Sequence, residues 1–213
     1  MNQITFGDYR SFDDLYLICS EKVIGSPTIK TNTVAVEGGD GVLDFTEFFG
    51  EANYNNRTLS FTFSTIVAPE SFPDLYSQVL NLLHGKKMHI ILDEDADFYY
   101  IGRINVADFT KEMAVIGKIP ITADCKPYKY KKDITVVTQE VNGSVNVTLS
   151  NLRERVVPTI TTDADMTITF DGKTVTAAAG TFTIPELELV AGDNVVSVTG
   201  AGNITFTYQE GGL

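Results

Sequence analysis

The sequence predicts a mainly β chain in two domains, an N-terminal β-sandwich with one packed α-helix (1–132) and a small C-terminal antiparallel β-sandwich (133–213). Three observations carry that prediction. Apolar and polar residues alternate with period two along the first half, whereas apolar residues at helical spacing occur in one segment only. Turn signals built on Gly, Asn and Asp punctuate the second half at short intervals. The composition also changes near residue 133: of 13 Phe and 9 Tyr, 18 fall in 1–133 and 4 beyond it, while 15 Thr, 12 Val and 5 Ile make up 32 of the last 80 positions. Those types favour pleated, half-buried strands. A length of 213 residues allows one large domain or two small ones at roughly 150 residues each, and the compositional shift decides for two.

Along the first half, Val34 and Val36, then Leu59, Phe61 and Phe63 in RTLSFTF, then Ile104 and Val106 in RINV, each put apolar side chains on one face. Strands covering one side of a core read this way. The helix is Phe72 to His84: Ser71 is placed to cap it, Pro73 and Asp74 suit its first turn, Leu75, Val79, Leu82 and Leu83 share a face, and Gly85 ends it in the left-handed conformation. The junction Asp124 to Asp133 interleaves four lysines with Pro127, Tyr128 and Tyr130. A solvated linker, or an edge strand whose lysines discourage aberrant pairing, accounts for it better than a contact with an acidic partner.

In the second half the predicted strands are Val145 to Leu149, Met166 to Phe170, Thr181 to Ile184, Val195 to Val198 and Ile204 to Tyr208. Turns are expected at Asn142-Gly143, Asp171-Gly172, Ala191-Gly192-Asp193 and Gly200 to Asn203, with Asp171-Gly172 the strongest hairpin signal. About 80 residues make a modest core, so docking or assembly is expected to help stabilise this domain.

Charge narrows the function. With 16 Lys plus Arg against 28 Asp plus Glu, the net charge is −12, which opposes sequence-independent binding to a phosphate backbone. No apolar run reaches the roughly 20 residues that span a bilayer, and the opening residues lack a basic segment followed by an apolar one. The expectation is a protein made in the cytoplasm, without membrane insertion or a signal peptide. Cys19 and Cys125 form no CxxC pair and read as free, buried thiols.

Motifs for chemistry fail one by one. Asp93, Glu94, Asp95 and Asp97 imitate the first ligands of a calcium loop, but the positions that require Gly and a bidentate Glu hold Phe98 and Ile104. A solvated turn is the better reading. His84 and His89 share neither a helical face nor a zinc frame. Gly38-Gly39-Asp40-Gly41 lacks the Gly-Lys-Ser/Thr ending of a phosphate loop and reads as a tight turn. Paired acids without Trp make weak grounds for glycoside hydrolysis. No catalytic residue, metal site or cofactor is predicted.

The stretch Pro27 to Phe63, PTIKTNTVAVEGGDGVLDFTEFFGEANYNNRTLSFTF, orders a strand, an acidic Gly-rich turn, a short aromatic segment, a Tyr-Asn-Asn-Arg turn and an alternating strand. With the opening ITFGDYRSFDDLYLI and the acidic turn before YYIGRI, it resembles the distal tail protein (Dit) family of long-tailed phages and prophages, over roughly residues 1–130. The resemblance implies a non-enzymatic baseplate hub at the virion tail tip. In the family, six copies form a ring that joins the tail tube to the tail-tip and receptor-binding proteins, and a C-terminal galectin-like or carbohydrate-binding-module-like sandwich projects outward. From the matching stretch, Gly39, Asp40, Gly41, Asp44, Tyr54 and Arg57 are the assembly-interface candidates. Like-charged copies are expected either to pair scarce basic residues, such as Arg57 and Arg103, with a neighbour's acids or to hold together through apolar contact. The C-terminal domain has only Phe170, Phe182, Phe206 and Tyr208 as aromatics, with the three Phe read as core, so its carbohydrate binding is doubtful. Two other readings stay open: a carbohydrate-binding or adhesion module, and a tail-tube subunit.

Overall fold

A computed structural model of the chain describes residues 3–48, 50–65, 67–68, 71–113 and 116–213. The chain divides into two compact units, Met1–Lys129 with Leu213, and Tyr130–Gly212. The division falls inside the lysine- and tyrosine-rich stretch between Asp124 and Asp133. No helix among the described residues is long and apolar enough to cross a membrane.

In the first unit, β1 (Ile4–Phe6), β2 (Tyr9–Arg10) and β3 (Leu17–Ile24) precede a small hairpin, β4 (Thr33–Ala35) and β5 (Val42–Asp44). Then come β6 (Arg57–Thr65), α1 (Phe72–Leu83), β7 (Lys87–Leu92), β8 (Phe98–Val106), β9 (Thr110–Met113) and β10 (Ile116–Cys125). The main sheet runs β2-β1-β7-β8-β10-β6-β3, with β9 also on β10. In a flat sheet β1 and β6 would lie four strand spacings apart, about 19 Å. Yet the Phe6 ring meets Phe61 edge-on with centroids 5.8 Å apart and Phe63 at 6.1 Å. The sheet therefore folds over on itself, and its apolar face becomes the inside of a sandwich. The alternation in RTLSFTF delivers Leu59, Phe61 and Phe63 to that core, opposite Ala123, Ile121 and Ile119 of β10.

Helix α1 buries Phe72, Leu75, Val79 and Leu83 and packs on β8; each such apolar side chain contributes on the order of 1.5–3 kcal/mol. Its start differs from expectation, since Ser71 makes no side-chain capping bond, and Pro73 and Asp74 are left to favour the first turn. Its end is stapled to β8. Gly85 adopts φ +73° and donates its N–H to the Ile104 carbonyl at 2.8 Å, while His84 Nδ1 accepts the Val106 N–H at 3.1 Å.

The second unit holds β11 (Lys129–Lys131, which begins one residue earlier), β12 (Thr135–Asn151), β13 (Thr159–Thr162), β14 (Met166–Phe170) and β15 (Lys173–Ala177). After them come β16 (Gly180–Thr183), β17 (Gly192–Tyr208) and β18 (Gly211–Gly212), the last paired with β11. Two of the expected turns are not turns. Asn142-Gly143 lies within β12 and Gly200 to Asn203 within β17, and the two 17-residue strands pair without interruption from Thr135↔Tyr208 to Asn151↔Gly192. Gly143 sits directly across from Gly200, and Gly143 and Gly202 take positive φ of 92° and 145°. Glycines facing each other let both strands bend together while the ladder continues. The free side of bent β17 pairs with β14 through Ser197 to Gly200 and with β13 through Ile204 to Thr207.

Threonine alternation explains which side faces water. Thr138 and Thr205, Thr161 and Thr181, and Thr169 and Thr174 pair hydroxyls across strands at 3.0 Å, while the intervening Ile160, Ile168 and Phe206 are buried. Phe170 and Phe182, read as core, are only half-buried, because β15 and β16 lie at the ends of the strand order. Asp171-Gly172 forms the two-residue hairpin turn between β14 and β15 with φ of 46° and 72°, the type I′ signature.

Candidate assembly surface

Between β3 and β6 the chain leaves the sandwich. Residues 25–56 form an arm whose base is a narrow ladder: Lys30 N–H donates to the Asn53 carbonyl and Asn55 N–H to the Thr28 carbonyl, both at 2.8 Å, and Ile29 bridges Tyr54. Further out, β4 and β5 pair only with each other, Thr33↔Asp44 to Ala35↔Val42. A two-stranded ribbon has no second layer to bury its side chains. Val34 and Val36, read as core-facing, are accordingly half exposed, as are Leu43 and Ile29, while Val42 is 59% and Phe48 70% exposed. Phe45 and Phe48 pack edge-to-face on each other at 6.1 Å. Apolar side chains concentrated on one thin projection are the signature of a surface that another molecule covers.

The interface candidates distribute along this arm. Gly39, Asp40 and Gly41 form its tip, where Gly38 and Gly41 take φ of 77° and 74° and Gly39 N–H donates to the Val36 carbonyl. Asp44, at the end of β5, accepts the Thr46 backbone N–H at 2.8 Å, and Thr46 holds its carboxyl below the usual aspartate range. It lines a shallow concavity of about 360 Å³ with Ile29, Thr31, Thr46, Glu47 and Ala52. Tyr54 stands at the base, its ring edge-on to Tyr128 at 6.1 Å.

Arg57 does not belong with them. It is 7% exposed, donates through Nε to the Gly25 carbonyl at 2.7 Å and through Nη1 to the Pro127 carbonyl at 3.2 Å, and lies over the Tyr100 ring. Its charge ties the arm's root to the body, so the expectation that it meets a neighbour's acid gives way to an internal role. Arg103 differs: it donates Nη1 to the Gly85 carbonyl at 2.6 Å but is exposed. The exposed apolar arm residues are the candidate feature that sequence reasoning missed. Their alternation was visible, but alternation does not tell a core from a partner.

The acidic turn is a short 3₁₀ segment, Asp93–Asp95, whose charges are answered locally: Asp95 pairs with Lys129 at 2.6 Å and Glu94 with Lys22. Two of the junction lysines are engaged, Lys129 over the Phe98 ring and Lys131 paired to Glu210 at 3.0 Å, and Tyr130 is buried. Of the two readings of this stretch, a strand holds for Lys129–Lys131, whereas 126–128 and 132–133 lie outside strands. Both cysteines are free thiols; Cys125 is buried and Cys19 only half-buried.

No family model and no curated protein matches the sequence. Among solved structures, the chain is similar to the crystal structure of the SPP1 Dit (gp 19.1) protein, described as a paradigm of the hub adsorption apparatus in phages infecting Gram-positive bacteria. The TM-score is 0.72 at 17% sequence identity, over 98% of this chain and 99% of that one. The mainly β fold of this chain is therefore Dit-like.

Proposed function

We propose that the chain is a structural hub of a phage or prophage tail, non-enzymatic, with six copies closing into a ring that joins the tail tube to the tail-tip and receptor-binding proteins. The first unit makes the ring and the second is carried at its periphery. The observation that carries this reading is the arm of a Dit-like fold on which Ile29, Val34, Val36, Val42 and Leu43 are each about half exposed or more. A head-to-tail ring needs two different patches on each subunit. The arm supplies one, and β3, at the end of the strand order with Val23 exposed, offers an open edge for the other.

Assembly through apolar contact suits a subunit of charge −12, since identical copies repel unless their contacts are largely uncharged. Negative-stain microscopy of the purified chain tests the reading. Closed rings are expected; stacked tubes of indefinite length would assign the chain to the tail tube, and monomers that bind sugar would make it an adhesion module.

A further inference from the structure

The second unit leaves part of its sandwich open. β15 is the outermost strand of the order β15-β14-β17-β13-β16, so no described strand pairs with its outer edge. Within the β14–β15 hairpin Ile168 faces Val175 and Phe170 faces Lys173, which puts these four on the side opposite the threonine pairs. Ile168 is buried, but Phe170 is half-buried and Val175 is 37% exposed, because nothing closes the layer over β15. An open cleft of about 210 Å³ results, with Ile184 and Leu187 as its far wall and Lys173 and Glu186 among its lining.

Phe170 and Glu186 also line a wider groove, so the two concavities adjoin. The groove gathers Asp171, Glu186, Glu188 and Asp193 against a single Arg155, and that guanidinium is held by Glu188 at 3.0 Å. With Lys173 of the adjoining cleft included, four carboxylates face two cations, and Asp193 also accepts the Ser150 hydroxyl at 2.6 Å. Asn194 is buried and spends both amide hydrogens within the chain, on the Leu149, Val190 and Gly192 carbonyls, while its Oδ1 accepts the Val190 N–H.

We propose that this edge docks an extended basic peptide segment of a partner protein, which adds to β15 as a further strand, sends an apolar side chain into the cleft and lays a Lys or Arg between Asp171 and Glu186. In strand addition the main chain supplies affinity and alternate side chains supply specificity. β15 offers five residues of edge, Lys173–Ala177, and the unbalanced carboxylates choose the sign of the neighbouring charge. The site lies wholly within the second unit, so it stands or falls independently of ring formation.

The test uses the full chain and a fluorescein-labelled hexapeptide of alternating Val and Thr that ends in two Lys, read by anisotropy, with hydrogen exchange locating the contact. Saturable binding that slows exchange at Lys173–Ala177 is expected. Glu186 is exposed, so Glu186→Lys leaves the fold intact and should weaken binding about fivefold. The same variant should gain affinity for a peptide ending in two Glu. Val175→Asp should abolish binding, with circular dichroism confirming that it is folded; if it is not, the charge exchange at position 186 still decides. The proposal is overturned if exchange at β15 is unaffected, if wild type binds both peptides equally, or if chitin oligosaccharides occupy the cleft and the Lys peptide does not.

Discussion

Arg57 is a cation whose hydrogen-bond partners are carbonyl oxygens. Replacing it with Met would keep much of its packing but leave the Gly25 and Pro127 carbonyls without a donor, and a loss of about 2–4 kcal/mol is expected in urea unfolding. This placement was already legible: Arg57 has the parity of Leu59, Phe61 and Phe63, so the alternation points it inward. What the sequence hid was the pair of acceptors, which come from residues 32 and 70 positions away. Gly102 and Cys125 make a second close fit. They face each other across β8 and β10, and a Cβ at 102 would collide with the Cys125 sulfur. Gly102→Ala should cost about 1–3 kcal/mol, and Cys125→Ala in the same chain should recover part of that in a double-mutant cycle. Burial pushes the Cys125 thiol up to about 12 from 9.0. A raised value means that its contribution to stability is complete below pH 9 and is lost as pH rises through about 12. Thiol labelling at pH 8 should therefore modify Cys19 in the native state and Cys125 only after unfolding.

At the scale of elements, the long strands β12 and β17 depend on their bend. Gly202, at φ +145°, has the Asp163 carboxylate where a side chain would begin, and that carboxylate accepts the Asn203 backbone N–H at 2.7 Å and its amide at 2.9 Å. Gly202→Ala should destabilise the second unit by about 1–3 kcal/mol through strain at that φ, read from its thermal unfolding. The Asn203 bonds hold the Asp163 carboxyl below its ordinary value. A depressed value stabilises above the unfolded aspartate pKa, roughly 4, and the effect is lost as pH falls through the lower folded value; Asp163→Asn should flatten that acid limb. Gly-rich dipeptides announced flexible backbone correctly, yet whether a flexible point ends a strand or bends it depends on the opposite strand. Gly143 meets Gly200 across the ladder, and that pairing is non-local. The Asp171-Gly172 turn was legible because its partners are adjacent in sequence. The arm shows the same limit, since Val34 and Val36 carry a strand's periodicity yet stay half exposed.

At the scale of the whole molecule, the mainly β fold and the one α-helix among the described residues were readable from composition and periodicity, and the fold is Dit-like. Assembly is the property that remains to be measured. Subunits of charge −12 joined by apolar arms should associate more strongly as salt screens their repulsion, whereas a ring held by ion pairs should loosen. The most direct test is the mass of the full chain by light scattering across concentration, alongside a variant with Val42, Leu43 and Phe48 changed to Ser. The account predicts a closed six-fold species for the wild type, favoured at higher salt, and a folded monomer for the variant. A wild type that stays strictly monomeric at every concentration, or a variant that assembles as well as the wild type, would contradict it.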